Sequence, residues 1–153
     1  PRGEIIINRV SETNVEGVYA AGDVTEKILK QVATAVGDGA IAGFMAEKYI
    51  AEIEIYKNQI LANNGVVFIY DASEEACREC LYDIETIEKQ ADGKFQVTRI
   101  DVYKSKGIAN MMHVHRVPSL AVVKDGEIVK VFEDVFTCSK VCEALGIEDC
   151  SCK

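Results

Sequence analysis

Apolar and polar positions change period several times along this 153-residue chain, and each change predicts an element. Two short runs near the start, GEIIIN and VEGVYAAGDV, read as strands, the second punctuated by Gly17 and Gly22. From Lys30 the period lengthens. Ile41, Met45, Tyr49, Ile53, Tyr56 and Ile60 recur in steps of four or three, which predicts a long helix with these side chains on one face. Gly37, Gly39 and Gly43 fall early in that helix. Each costs about 1 kcal/mol relative to alanine in an exposed helix interior, so a close backbone approach is expected there.

Asn63-Asn64-Gly65 ends the helix, and Val66 to Tyr70 is an apolar run of the length of a buried strand. Cys80, Leu81, Ile84, Ile87, Glu88 and Ala91 fit a second helix that stops near Asp92-Gly93. FQVTRIDV is a strand, SKGIANMMHV a short helix with Met111 and Met112 as core filler, and SLAVVKDGEIVKVF two strands. Asp125-Gly126 joins those two, supplying the positive φ angles of a tight hairpin. Thr137 caps a last helix, CSKVCEALG. The order from residue 66 is β–α–β–α–β–β–α: an α/β fold with a mixed sheet and helices on both faces. No Pro/Gly/Ser-rich linker precedes it, so the long helix is expected to carry the chain from one unit to the next.

Composition narrows the function classes. The 48% hydrophobic and 27% charged residues are those of a globular protein. A net charge of −8 offers no basic surface for phosphates, which argues against nucleic acid as a partner. No run approaches the roughly 20 apolar residues that span a bilayer, and PRGEIIIN lacks the layout of a signal peptide, so no membrane partner and a cytoplasmic location are expected. The chain starts at Pro1 and has no methionine before Met45, and reads as a piece of something longer. Six cysteines in a reducing compartment are reducible, catalytic or metal-binding thiols before they are a permanent framework.

Glu75-Ala-Cys-Arg-Glu-Cys80 is the sharpest chemical signal. A CxxC that follows a strand and loop sits where a helix begins, and there unpaired amides and the helix dipole favour a thiolate. Cys77 would then be the exposed nucleophile and Cys80, one turn in, the more buried resolving thiol. Pro118 in RVPSL is an X-Pro step able to hold a cis bond. On ACREC, VPS and KDGEIV, residues from about 60 to 148 resemble a thioredoxin-fold domain. The resemblance implies disulfide-reductase chemistry at Cys77 and Cys80, with Val117 and Pro118 docking substrate. It also puts Asp71 where the family keeps a buried acid that relays a proton to the resolving cysteine, although Asp71 fits a turn residue equally well. Two departures bear on substrate range: Ala76 stands where the family has tryptophan, and Arg78-Glu79 where it has Gly-Pro. Arg78 favours the thiolate while Glu74, Glu75 and Glu79 oppose it, which leaves the net shift unsigned.

A CxxC is also half of a zinc site, which Cys138 and Cys142 at i and i+4 would have to complete; closed sites more often take a second pair from a hairpin, which favours a dithiol. Cys138 and Cys142 otherwise read as half-buried small apolar residues. Cys150 and Cys152, in the tail, are candidate auxiliary redox thiols, because a disulfide between residues so close would be readily reduced. His113 and His115 read as surface or packing residues.

The segment TNVEGVYAAGDVTEKILKQVATAVGDGAIAG is, on pattern alone, a strand, a loop and a glycine-interrupted helix whose N-terminus offers amides to an electron-rich ligand. Residues 3 to about 50 are similar to the end of the FAD domain of thioredoxin reductases and related pyridine-nucleotide disulfide oxidoreductases. The resemblance implies that Gly22 and Asp23 of AAGDV meet the flavin's ribityl chain and that Gln31 and Val32 lie beside the ring. A GxGxxG fingerprint is absent from the sequence, so FAD and NADPH are expected in an intact protein and not held tightly by this chain alone.

Three parts are therefore expected: 1–52, the incomplete end of a FAD-binding domain; 53–148, a thioredoxin-like domain; and 149–153, a cysteine-containing tail. The expected activity is that of a thiol–disulfide oxidoreductase module in a reductase–thioredoxin fusion, short of full NADPH-dependent turnover. Expected partners are a disulfide-containing protein or small molecule, the remaining N-terminal reductase part, and a second copy in a homodimer. A non-catalytic thioredoxin-fold binding module is the alternative. Exposed apolar surface is expected at Val18, Tyr19, Ala20, Ala21 and along the long helix.

Overall fold

The computed structural model describes residues 3–133 and 136–147. The chain divides into two compact units, residues 1–51 and 52–153.

The first unit contains a short 3₁₀ turn, Gly22–Val24, and most of helix α1, Val32–Ile55. GEIIIN and VEGVYAAGDV are not strands. Among the described residues they make only two isolated bridges, Ile5 to Thr25 and Glu12 to Tyr19. A strand needs a continuous ladder of partners, and Ile6, in the middle of the first run, is 74% exposed. The glycines of α1 also differ from expectation. A Cβ added at Gly37, Gly39 or Gly43 would meet nothing within 4 Å, so no close approach accounts for them.

The second unit begins in the last residues of α1 and a π-helical stretch, Tyr56–Leu61. It continues through β1 (Gly65–Tyr70), α2 (Glu75–Ala91), β2 (Gln96–Asp101), α3 (Lys106–Met111), β3 (Ser119–Lys124), β4 (Glu127–Phe132) and α4 (Cys138–Leu145). The sheet order is β2-β1-β3-β4. β1 and β2 are parallel, while β3 runs antiparallel to β1 and to β4.

β1 and β3 are continuous apolar runs because both faces of each are covered. Val66, Phe68, Leu120 and Val122 face a cluster closed by Ile84, Ile87, Phe136 and Val141, from α2 and the α4 region. Val67, Ile69, Ala121 and Val123 face the opposite cluster, closed by Ile60, Ile108 and Met112. Successive side chains of a strand point to opposite faces, so one short run feeds both cores.

Two glycines are required by geometry. A Cβ on Gly65 would overlap the Gln96 carbonyl oxygen of β2. Asp125 and Gly126 have φ of 53° and 84°, the left-handed pair that turns β3 into β4. The fold is α/β, a thioredoxin-like mixed sheet with flanking helices, preceded by a helix-bearing fragment.

Candidate functional site

β1 delivers the chain to the loop before α2, and α2 starts at Glu75 with Glu74 as its extended N-cap residue. Cys77 therefore lies in the first turn and Cys80 one turn later. Across the sheet, Ser119 pairs with Ile69, so Val117 and Pro118, just before β3, lie at the end of β1 from which the cysteine loop departs. The Val117–Pro118 bond is cis. Ser119 fixes the corner by donating its Oγ to the Arg116 carbonyl at 2.6 Å.

The two sulfurs do not sit as expected. Cys77 is fully buried, at 0% exposure, while Cys80 is half-buried. The cause is helical phase: Cys77 is seven residues before Ile84 and shares the buried stripe of Cys77, Ile84, Ile87 and Ala91. The expectation of an exposed Cys77 and a deeper Cys80 is thus reversed.

Electrostatics follow burial. The Cys77 thiol is pushed up from its ordinary value by burial; the Asp71 N–H, which donates to its Sγ at 3.4 Å, pulls the other way, and the carboxylates of Glu74 and Asp71 add to the rise. Burial also raises the Cys80 thiol, helped by Asp83, the neighbouring Cys77 and Glu79. The expected thiolate preference from the helix start is outweighed, because desolvation disfavours the charged form.

Asp71 is a turn residue in this structure. Its Oδ1 accepts from Ser73 Oγ at 2.6 Å and from the Ser73 N–H at 2.8 Å, and these bonds hold its carboxyl below the usual range. A proton relay wants a buried acid with a raised value, so the carboxylate does not match that role. What the sequence did not reveal is the Asp71 main chain, whose N–H faces the Cys77 sulfur. Backbone direction leaves no residue-type signal.

The second cysteine pair also differs from expectation. Cys138 and Cys142 are buried, at 3% and 2% exposure, with their sulfurs 3.9 Å apart, and Cys142 is disulfide-bonded. Among the described residues no three His, Cys, Asp or Glu side chains gather as a metal site would need. Cys150 and Cys152 lie outside the described residues.

In the first unit, the 3₁₀ turn rests on the early turns of α1. The Gly22 N–H donates to Asp38 Oδ2 at 3.1 Å, and Lys27 pairs with the same carboxylate. The Lys27 hydrogen bond is the main cause of the lowered Asp38 value. Asp23, Gln31 and Val32 are exposed. The Gln31 N–H is taken up by Thr34 Oγ1 at 3.2 Å, whereas the first-turn amides of α1 have no acceptor within the helix. The Asp23 carboxylate, an acceptor suited to polyol hydroxyls, and the start of α1 are both exposed.

Residues 1–39 match the pyridine nucleotide-disulphide oxidoreductase family. Over 42 residues the chain is 64% identical to a thioredoxin reductase of Peptoclostridium litorale, covering 28% of this chain and 13% of that protein. Over 48 residues it is 54% identical to a 34.2 kDa protein in the rubredoxin operon of Clostridium pasteurianum, covering 31% of this chain and 16% of that one. The chain thus spans only a small part of these curated relatives. A mutant thioredoxin from Halobacterium salinarum superposes with a TM-score of 0.50 at 22% identity, over 58% of this chain and 78% of its own. That likeness is one of fold: a reductase-like beginning is followed by a thioredoxin-like fold.

Proposed function

We propose that residues 53–148 are a thiol–disulfide exchange module working in a reductase–thioredoxin fusion, with residues 1–52 contributing the end of its FAD-binding domain. Its chemistry would be a two-electron exchange. The Cys77 thiolate attacks one sulfur of a substrate disulfide, and the other substrate sulfur leaves as a thiolate. Cys80 then attacks the Cys77 sulfur and releases the second substrate thiol, which leaves a Cys77–Cys80 disulfide. Substrate is reduced by two electrons and the pair is oxidised by two. Val117 and Pro118 line the approach and dock the substrate backbone.

Reset of the pair would come from reductase parts outside this chain. Bound FAD would supply the electron transfer from NADPH to a dithiol. Within this chain Asp23 would orient the ribityl hydroxyls, Gly22 would set the turn that presents Asp23, and Gln31 and Val32 at the α1 start would border the ring. Partners on this account are a disulfide-bearing protein or small molecule in the cytoplasm and a second copy of the chain; turnover with NADPH needs more than this chain.

The observation that carries the proposal is a CxxC that begins in the first turn of α2, just after β1, with the Val117–Pro118 step at the adjoining end of β3. Burial of Cys77 is the observation that favours a second reading, a thioredoxin-fold module that binds a partner without exchanging disulfides. Insulin turbidity with a dithiol donor separates the two. The native chain is expected to accelerate precipitation and Cys77→Ser to fall to the uncatalysed rate; equal rates for the two would establish the binding module instead.

A further inference from the structure

Glu74 is the N-cap residue of α2, and Cys77, Cys80 and Asp83 follow it at intervals of three. Residues at i and i+3 are neighbours on a helix surface, so the four form one row with a carboxylate at each end of the dithiol. Glu74 and Asp83 are exposed and Cys80 is half-buried. Ala76, four residues before Cys80, is exposed and brings only a methyl group to that face. Arg78 and Glu79 lie off the row, each about 100° around the helix from the cysteine beside it, and their charges are opposite. In the loop that leads to the Val117–Pro118 step, the Arg116 guanidinium is paired with Glu133 at 4.0 Å. Lys104 and Lys106 come after β2, on the side of β1 away from β3.

We propose that the Cys77–Cys80 site is selective for cationic disulfides, those whose sulfurs are flanked by ammonium or guanidinium groups, and that Glu74 and Asp83 set this preference. An incoming cation meets a carboxylate at whichever end of the row it approaches, while an anionic disulfide is repelled at both. The same charges act on the thiols. Burial raises both of them, and Glu74 and Asp71 add to the rise at Cys77 as Asp83 and Glu79 do at Cys80. A cation docked beside these carboxylates offsets part of their field and so favours the attacking thiolate. In the overall step the substrate S–S bond breaks and a Cys77–Cys80 bond forms. The two cysteine protons pass to the two substrate sulfurs, which leave as cationic thiols, so the substrate gains the two electrons that the pair loses.

This inference rests on the exchange reading of Cys77 and Cys80, and the experiment separates the two. The full chain is reduced with dithiothreitol, desalted, and mixed with cystamine, which has an ammonium on each arm, with neutral hydroxyethyl disulfide, or with anionic dithiodiglycolate. Timed samples are quenched in acid, unfolded, blocked with N-ethylmaleimide and digested with trypsin, and the new bond is read as peptide 58–78 linked to peptide 79–89. Dividing each rate by that of the same disulfide with dithiothreitol removes its intrinsic reactivity. Unit charges about 6 Å apart in water change a rate roughly threefold, upward for the cation and downward for the anion. The expected order is therefore cystamine, hydroxyethyl disulfide, dithiodiglycolate, with about 10-fold between first and last. High salt is expected to compress that range, as is Glu74→Gln combined with Asp83→Asn. Equal normalised rates for the three disulfides, or a range that neither salt nor the double variant narrows, would overturn the selectivity alone. Absence of the linked peptides even with the neutral disulfide would overturn the exchange reading and this inference with it.

Discussion

At the scale of the residue, the candidate site is governed by a contest between a helix start and burial. The Asp71 N–H reaches the Cys77 sulfur, but removal from water and the carboxylates of Glu74 and Asp71 hold the proton on. A thiol with a raised value gains thiolate only as pH climbs, so Cys77 alkylation by iodoacetamide is expected to keep accelerating beyond the range where an ordinary cysteine levels off. Glu74→Gln removes one negative charge and is expected to move the midpoint of that profile to lower pH. A midpoint unchanged or moved upward would show that Glu74 does not act on this sulfur. Half-buried Cys80 should label ahead of Cys77. The burial of Cys77 was readable in the sequence, since Ile84 is two turns away on the same face; the acidity argument from the helix start obscured it. The orientation of the Asp71 carboxylate toward Ser73 was legible only as a turn preference, because Asp serves both as a turn former and as a buried acid.

At the scale of the element, the elements of the second unit were legible where burial on two faces left continuous apolar runs, as in β1 and β3, or where punctuation was chemical, as at Asp125-Gly126 and Thr137. In the first unit the long helix was legible, as α1, but the two strands expected before it were not. GEIIIN and VEGVYAAGDV have strand composition, yet pairing depends on a partner elsewhere in the chain, and a propensity does not contain its partner. A sharper dependence on pairing sits at the start of β1. Gly65 lies so close to β2 that any Cβ meets the Gln96 carbonyl oxygen, and overpacking of this kind costs about 2 kcal/mol. Gly65→Ala is expected to lower the urea midpoint by a corresponding amount with the slope unchanged. Native stability in that variant would mean that β1 and β2 are not held at the spacing seen here.

At the scale of the whole molecule, charge and apolar surface have opposite consequences. A net charge of −8 opposes association at low salt. Val32, Val36, Phe44 and Ile50 of α1 are nevertheless 57% to 83% exposed, and exposed apolar patches mark interaction surfaces. No helix among the described residues is long and apolar enough to cross a membrane. Sedimentation should therefore show concentration-dependent self-association that strengthens with salt and weakens in Phe44→Ser. A strictly monomeric chain at high salt would contradict this. Exposed apolar surface was anticipated from the resemblance of residues 3 to about 50 to one end of a larger domain: Val18 and Ile41 are exposed, at 47% and 44%, whereas Tyr19, Ala20 and Ala21 are half-buried.

The central claim is that Cys77 and Cys80 interconvert reversibly between dithiol and disulfide, and their own sequence offers a direct readout. Trypsin cleaves after Arg78, so a disulfide between them joins peptide 58–78 to peptide 79–89. Across glutathione buffers, quenched and digested without reduction, that linked pair should rise from absent to dominant along a single two-electron curve and disappear again when the poise is reversed. Separate, fully alkylated peptides at every poise would contradict the account.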